Sequence, residues 1–248
     1  AGFAVLLLAA FFPVGATAGL RLAPAGGMGA DVRSFAQSSG VVWTGTASGV
    51  FRAHDVWSNG VLDGLSGQPV SSLSIFGGET WAATGEALWR RTAAGTWSEV
   101  TLPSTVAFPT TVAVDASGTL WVGGLGPRPV EPDKPTYAAV LRRTGETWTT
   151  APSPGVGLLI SMLPDPQGLV VGLATGSAAR WTGSGWTVYS GGVGPSEGFQ
   201  ALASFGGTLW AGTGITLYVW SGSSWVAEPA FGGHDVRALT TFGGVLRA

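Results

Sequence analysis

A unit of about 40 residues recurs along this chain, and the recurrence restricts its fold more than any other feature. The segments "GVVWTGT", "GETWAAT", "GTLWVGG", "QGLVVGL" and "GTLWAGT" align so that Trp43, Trp81, Trp121, Val170 and Trp210 stand in register, 38, 40, 49 and 40 residues apart. Each unit holds the same four pieces. An alternating apolar segment such as "DVRSFAQ" or "DVRALTT" comes first and the Trp segment second. A third segment follows, reading "GVFRA", "ALWRR", "AVLRR", "SAARW" or "TLYVW", and then a second tryptophan: Trp57, Trp97, Trp148, Trp186 or Trp225. The last eight residues, "TFGGVLRA", restart the pattern of "SFGGTLW".

Four short strands joined by Gly-rich turns and repeated at this period predict an all-β fold, a β-propeller of four-stranded blades. Composition agrees. The 248 residues include 41 glycines and 12 tryptophans, with only 10% charged residues, against about 25% in ordinary globular domains. Aromatic residues suit pleated sheets and glycines suit their turns, whereas so few charges leave little to solvate helices. Residues 31 to 248 then make about five and a half blades, ending inside the second strand of a sixth unit, as expected of a fragment of a six- or seven-bladed ring. One blade cannot cover its own faces, so the bulky residue on each second strand is expected to fill the gap to a neighbouring blade. Arg52, Arg90, Arg142 and Arg180, with Val219 in the fifth unit, recur at one position of the third strand. Their expected role is to stack over, or pair beside, the tryptophan of the adjoining strand.

Ahead of the repeats, "AGFAVLLLAAFFPVGATAGLR" is uncharged up to Arg21 and passes from an apolar run to an Ala16-Thr17-Ala18 step. That is the layout of a secretory segment with its cleavage site, lacking the basic start. Residues 1–18 are therefore read as a signal-like segment and residues 19–30 as a lead-in able to supply a closing strand. The repeats are expected in a secreted or periplasmic location, with membrane contact only if the apolar segment stays uncleaved. A net charge of −2 offers no basic patch for nucleic acid. The absence of cysteine excludes disulfides and thiol chemistry.

On "DVRSFAQSSGVVWTGTASGVFRAHD", "GTLWVGG" and "GTLWAGT", the chain resembles the repeat of two-component-regulator propellers, over residues 31 to 248. The resemblance implies a periplasmic sensing role or a stand-alone secreted protein. The segments "RAHDVWSNG", "RTAAGTW", "RRTGETW", "RWTGSGW" and "VWSGSSW" are also similar to the last part of Asp-box repeats. The Asp is missing from four of these units, which argues against a sialidase-like activity.

Catalytic motifs are sparse. His54 and His234 lie in different units without a second ligand at metal spacing, and each is read as a solvated loop residue. Asp115, Asp165 and Glu79 fall at turns between first and second strands, where such residues are ordinary. No catalytic residue, metal site or cofactor is expected. Alternation of strand direction puts the chain leading into each first strand and the turn between second and third strands at one end of a blade. That end carries Asp31 and Arg33, then His234, Asp235 and Arg237. It also carries the insertion "GLGPRPVEPDKPTYAAV", residues 124 to 140, with Arg128, Asp133 and Lys134, and the connection "GGVGPSEGF", residues 191 to 199. These residues are the candidates for ligand binding. The expectation is a noncatalytic recognition or sensor module for a protein, peptide or glycan. The alternatives are a carbohydrate-active hydrolase or lyase with catalytic residues outside this stretch, and an assembly factor for an exported protein.

Overall fold

The computed structural model describes residues 32–53, 61–131, 133–194 and 196–248, in two compact units divided between Val100 and Thr101. The signal-like segment, the lead-in, Asp31, His54 and Trp57 lie outside the described residues.

The first unit holds two four-stranded antiparallel sheets. One is β1 (Val32–Ser38), β2 (Val41–Thr46), β3 (Gly49–Ala53) and β4 (Val61–Gly64); the other is β5 (Ser72–Phe76), β6 (Glu79–Ala83), β7 (Leu88–Arg91) and β8 (Trp97–Val100). The second unit holds three more sheets and a hairpin. Blade 3 is β9 (Phe108–Val114), β10 (Leu120–Leu125), β11 (Ala138–Thr144) and β12 (Thr147–Ala151). Blade 4 is β13 (Leu159–Leu163), β14 (Val170–Leu173), β15 (Ala178–Trp181) and β16 (Trp186–Tyr189). Blade 5 is β17 (Ala201–Phe205), β18 (Thr208–Gly212), β19 (Leu217–Trp220) and β20 (Trp225–Ala227), and the hairpin is β21 (Thr240–Phe242) with β22 (Val245–Arg247). Neighbours in sequence are neighbours in each sheet. The four-strand reading of the repeat therefore holds blade by blade.

The repeated Phe-Gly-Gly explains the first turn of three units. Gly77 and Gly78 have φ of +60° and +78°, and Gly206–Gly207 and Gly243–Gly244 repeat this pair of positive angles. A two-residue hairpin whose twist matches its strands needs positive φ at both central positions, which glycine supplies at no steric cost.

Packing between blades follows one rule. The residue at the Trp position turns to the next blade, and the residue after it turns back to the previous one. In the second unit Trp121 shares a buried cluster with Leu159, Val171 and Ala179 of blade 4, while Val170 packs with Phe199, Leu202 and Ala211 of blade 5. In the first unit Trp43 packs against Leu73 and Ala82 of the second sheet. Trp121 is 1% exposed, as expected of a spacer, but Trp43 and Trp210 are only half-buried.

Two residues after the Trp position stands a glycine in four of the five blades, because the next blade's incoming chain passes against it. A Cβ on Gly45 would meet Val70 Cγ1 at 2.8 Å, one on Gly172 would meet Phe199 Cβ at 3.0 Å, and one on Gly212 would meet the Val236 carbonyl oxygen at 2.4 Å. The same incoming residues donate backbone hydrogen bonds at the junction: Val70 to Thr46 O at 2.8 Å, Phe199 to Leu173 O at 3.1 Å, and Val236 to Thr213 O at 2.8 Å.

One expectation needs correction. The arginines do stand opposite the Trp position in the ladder, as in Trp43↔Arg52, Trp81↔Arg90, Trp121↔Arg142 and Val170↔Arg180. Arg90 also lies over Trp81, 5.9 Å from the ring centre. Arg142, however, lies over Trp181 of the next blade, and Arg52 and Arg180 pair with Asp63 and Asp165, because a buried carboxylate competes better for a guanidinium than a ring does.

Candidate functional site

Antiparallel order places the 2–3 turns and the blade-to-blade connections at one end of every sheet, here called the connection end, and the 1–2 and 3–4 turns at the opposite end. In the second unit the connection end is continuous. Gly157 N–H donates to Thr136 O at 2.9 Å, the Thr175 hydroxyl to Val156 O at 3.2 Å, and Gly233 N–H to Ile215 O at 2.8 Å. An isolated bridge pairs Tyr137 with Val156 and seats the insertion on blade 4's connection. The link between blades 4 and 5 is fixed by Tyr218, whose hydroxyl donates to Glu197 Oε2 at 2.7 Å. Burial, with the Glu197 carboxylate beside it, pushes the Tyr218 phenol up to about 12.

Buried threonines close the 2–3 turns. Thr213 Oγ1 donates to Thr216 O at 3.0 Å and accepts from Thr216 N–H at 3.2 Å, and Thr46 makes the corresponding contact to Gly49 O at 3.0 Å. These bonds stand in for a longer ladder and hold the turn tips rigid.

All the described candidate residues are exposed. Arg33 lies on β1 in the first unit. Arg128, Asp133 and Lys134 lie in the insertion of the second unit, and His234, Asp235 and Arg237 lead toward β21. Their ion pairs are local: Lys134 Nζ sits 2.7 Å from Glu131 Oε2, and Arg237 Nε donates to Asp235 Oδ2 at 2.6 Å. In the second unit the charged candidates thus form two separate groups at the connection end, with Lys134 paired to Glu131 and Arg237 to Asp235. The same end carries a set that the sequence reading missed. Phe108, Val130, Tyr137, Val156 and Ile215 are all exposed, Val130 fully and Tyr137 at 52%. Every one of these lies at the connection end. The other large exposed apolar residues described in this unit, Val188, Val226 and Val245, lie on strands β16, β20 and β22. The signal was present as apolar residues inside turn sequences, Val130 in "PRPVEP" and Ile215 in "GTGITL".

The opposite end is built from small and polar turns, and a recess of about 320 Å³ opens there between the first turns of blades 3 and 4. It is lined by Asp115, Ser117, Asp165, Gln167, Trp181 and Thr182, with neighbouring turn residues. Asp115 behaves as the turn residue expected: its carboxylate accepts from the backbone N–H groups of Ser117 and Thr119 at 2.9 and 3.0 Å, and from Trp121 Nε1 at 2.7 Å. Asp165 is more than a turn residue. It is 3% exposed, accepts from Gln167 N–H at 2.9 Å and is ion-paired with Arg180. Burial works against the charge of both carboxylates, but the hydrogen bonds to Asp115 from Ser117, Thr119 and Trp121 outweigh it, as do those to Asp165 from Gln167, Arg180 and Ser204, and both pKa values end below the ordinary range. Glu79, also expected as a plain turn residue, starts β6 and pairs with Arg90 at 3.8 Å. Among the described residues no group of His, Asp and Glu is placed to hold a metal ion, and no helix is long and apolar enough to cross a membrane.

No family model and no curated protein matches this chain. Solved structures do. The extracellular domain of the hybrid two-component system BT4673 from B. thetaiotaomicron is similar over 87% of this chain, with a TM-score of 0.57 and 15% identity, and this chain spans 36% of it. Virginiamycin B lyase from Staphylococcus aureus is similar over 87% of this chain and 76% of its own, with a TM-score of 0.63 and 17% identity. YCF48 bound to D1 peptide is similar over 82% of this chain and 68% of its own, with a TM-score of 0.56 and 15% identity. The chain has the β-propeller fold, shared with sensor domains and enzymes alike.

Proposed function

We propose that the chain is a noncatalytic recognition module, acting outside the cytoplasm, that holds a protein or peptide partner against the connection end of its propeller blades. The observation that carries this reading is the placement of Phe108, Val130, Tyr137, Val156 and Ile215. Turn tips are normally polar, and apolar side chains gathered at one end of a rigid scaffold mark an interaction surface. The local pairing of Lys134 with Glu131 and of Arg237 with Asp235 leaves a polar rim around apolar anchors, the anatomy of a protein interface. A noncatalytic role is supported at the opposite end, where Asp115 and Asp165 are each engaged by several donors and serve the fold. Location outside the cytoplasm rests on the apolar lead "FAVLLLAAFF" and its Ala-x-Ala step.

Selection of peptides from a displayed random library on the purified chain tests the reading. Peptides so obtained should lose binding at least tenfold on Tyr137→Asp and Val130→Asp variants and keep it on Ser223→Asp at the opposite end. Peptides indifferent to positions 130 and 137 would remove the connection end as the site.

A further inference from the structure

The recess at the opposite end lies away from the proposed partner face and presents an indole, a side-chain amide and two hydroxyls. We propose that it binds one ring of a neutral sugar. Its volume of about 320 Å³ stands at the small end of ligand pockets, which run from about 300 to 1,000 Å³. Ionic groups at its wall already have counterparts. Asp165 is paired with Arg180, and Asp115 accepts four hydrogen bonds from Ser117, Thr119 and Trp121; Arg142, which does not line the recess, lies over the Trp181 ring at 5.8 Å. What remains for a ligand is uncharged: the exposed side-chain amide of Gln167, the hydroxyls of Ser117 and Thr182, and the indole of Trp181.

Trp181 is held in one orientation. Trp121 and Trp186 pack edge to face with it at 5.4 and 5.2 Å between ring centres. The two hydroxyls are also fixed, Ser117 against Asp115 at 2.6 Å and Thr182 against Gly185 O at 3.0 Å, so each retains acceptor capacity while its own proton is committed. A preorganised indole beside one amide and two hydroxyls fits a ligand with an apolar C–H face and a rim of hydroxyl groups. No Lys or Arg lines the recess to meet an anionic ligand, and a purely apolar one would leave the Gln167 amide without a partner.

The test uses the whole chain and the methyl glycosides of glucose, galactose, mannose and N-acetylglucosamine as probes, followed by saturation-transfer NMR and by the indole resonances of 15N-labelled tryptophan. At least one glycoside should bind with a Kd of about 1 mM and shift the Trp181 indole signal. Gln167→Ala, at an exposed turn position, should weaken that binding about tenfold without altering the melting temperature, and Thr182→Val should weaken it by a similar factor. The proposal is overturned if no glycoside binds, if the two variants bind as wild type does, or if glucuronate or inorganic phosphate competes as well as the neutral sugars. The peptide experiment concerns the other end of the blades, so either result can fail alone.

Discussion

Trp97 donates its indole N–H to Asp63 Oδ2 at 3.2 Å, joining the fourth strand of the second blade to that of the first. The contact recurs: Trp186 Nε1 donates to Pro152 O at 2.7 Å and Trp225 Nε1 to Tyr189 O at 3.1 Å. The second tryptophan of each of these units thus fastens its blade to the preceding one near the outer edge, while the Trp-position residue fills the gap further in.

In the first unit this fastening includes charge. Asp63, with a side chain 7% exposed, also accepts from Arg91, by Nη2 at 3.0 Å and by Nε, and pairs with Arg52 at 3.3 Å. Asp63→Ala strands two guanidinium groups and an indole N–H, and should cost about 3 to 5 kcal/mol, the usual penalty for breaking a buried pair from one side. Denaturant unfolding measures this, and the double change Asp63→Leu with Arg91→Met should recover part of the loss.

Burial separates two tryptophans that the repeat treats as equals. Trp121→Ala removes a ring that is 1% exposed and should cost about 3 to 5 kcal/mol, whereas Trp210→Ala acts on a half-buried ring and should cost distinctly less. Equal shifts in denaturant midpoint would contradict the packing described for blades 3 to 5.

Gly172→Ala places a Cβ 2.3 Å from Ser161 Oγ and 3.0 Å from both Phe199 Cβ and Phe199 O. Ser161 Oγ itself donates to Phe199 O at 2.6 Å, so it cannot yield without losing that bond. The substitution should destabilise by about 1 to 3 kcal/mol, against almost no effect for Ala at Gly185, where nothing lies within 4 Å. Comparison of the two melting curves checks it.

The pH dependence follows from Asp115 and Asp165. Both pKa values are lowered in the folded state from 3.8, so their contribution is fully present above that value and is lost as pH falls through the folded values. Stability should fall on acidification below about pH 4, and less steeply in an Asp115→Asn variant. Urea midpoints measured between neutral pH and strong acid would reveal it.

The repeat period made the blades legible because each blade needs the same four pieces and a bulky spacer, and three units share the Gly-Gly turn. The partners of Arg52, Arg142 and Arg180 were not legible. Position on the strand dictates where a guanidinium starts, but a carboxylate or ring from another turn or blade decides where it ends. Asp165 illustrates the same limit, since "PDPQG" reads as a turn whether its carboxylate faces water or Arg180. The connection end was legible from strand alternation, and its charged residues were found. Its apolar anchors escaped notice because Val130, Tyr137 and Ile215 fall outside any strand, where the alternation of apolar residues carries no information.

Hydrogen–deuterium exchange of the chain with and without a selected peptide tests the central claim most directly. Residues 126–137, 152–158 and 213–216 should gain protection together, with residues 115–118, 165–168 and 182–185 unchanged. Protection confined to the second group would contradict the account and move recognition to the opposite end.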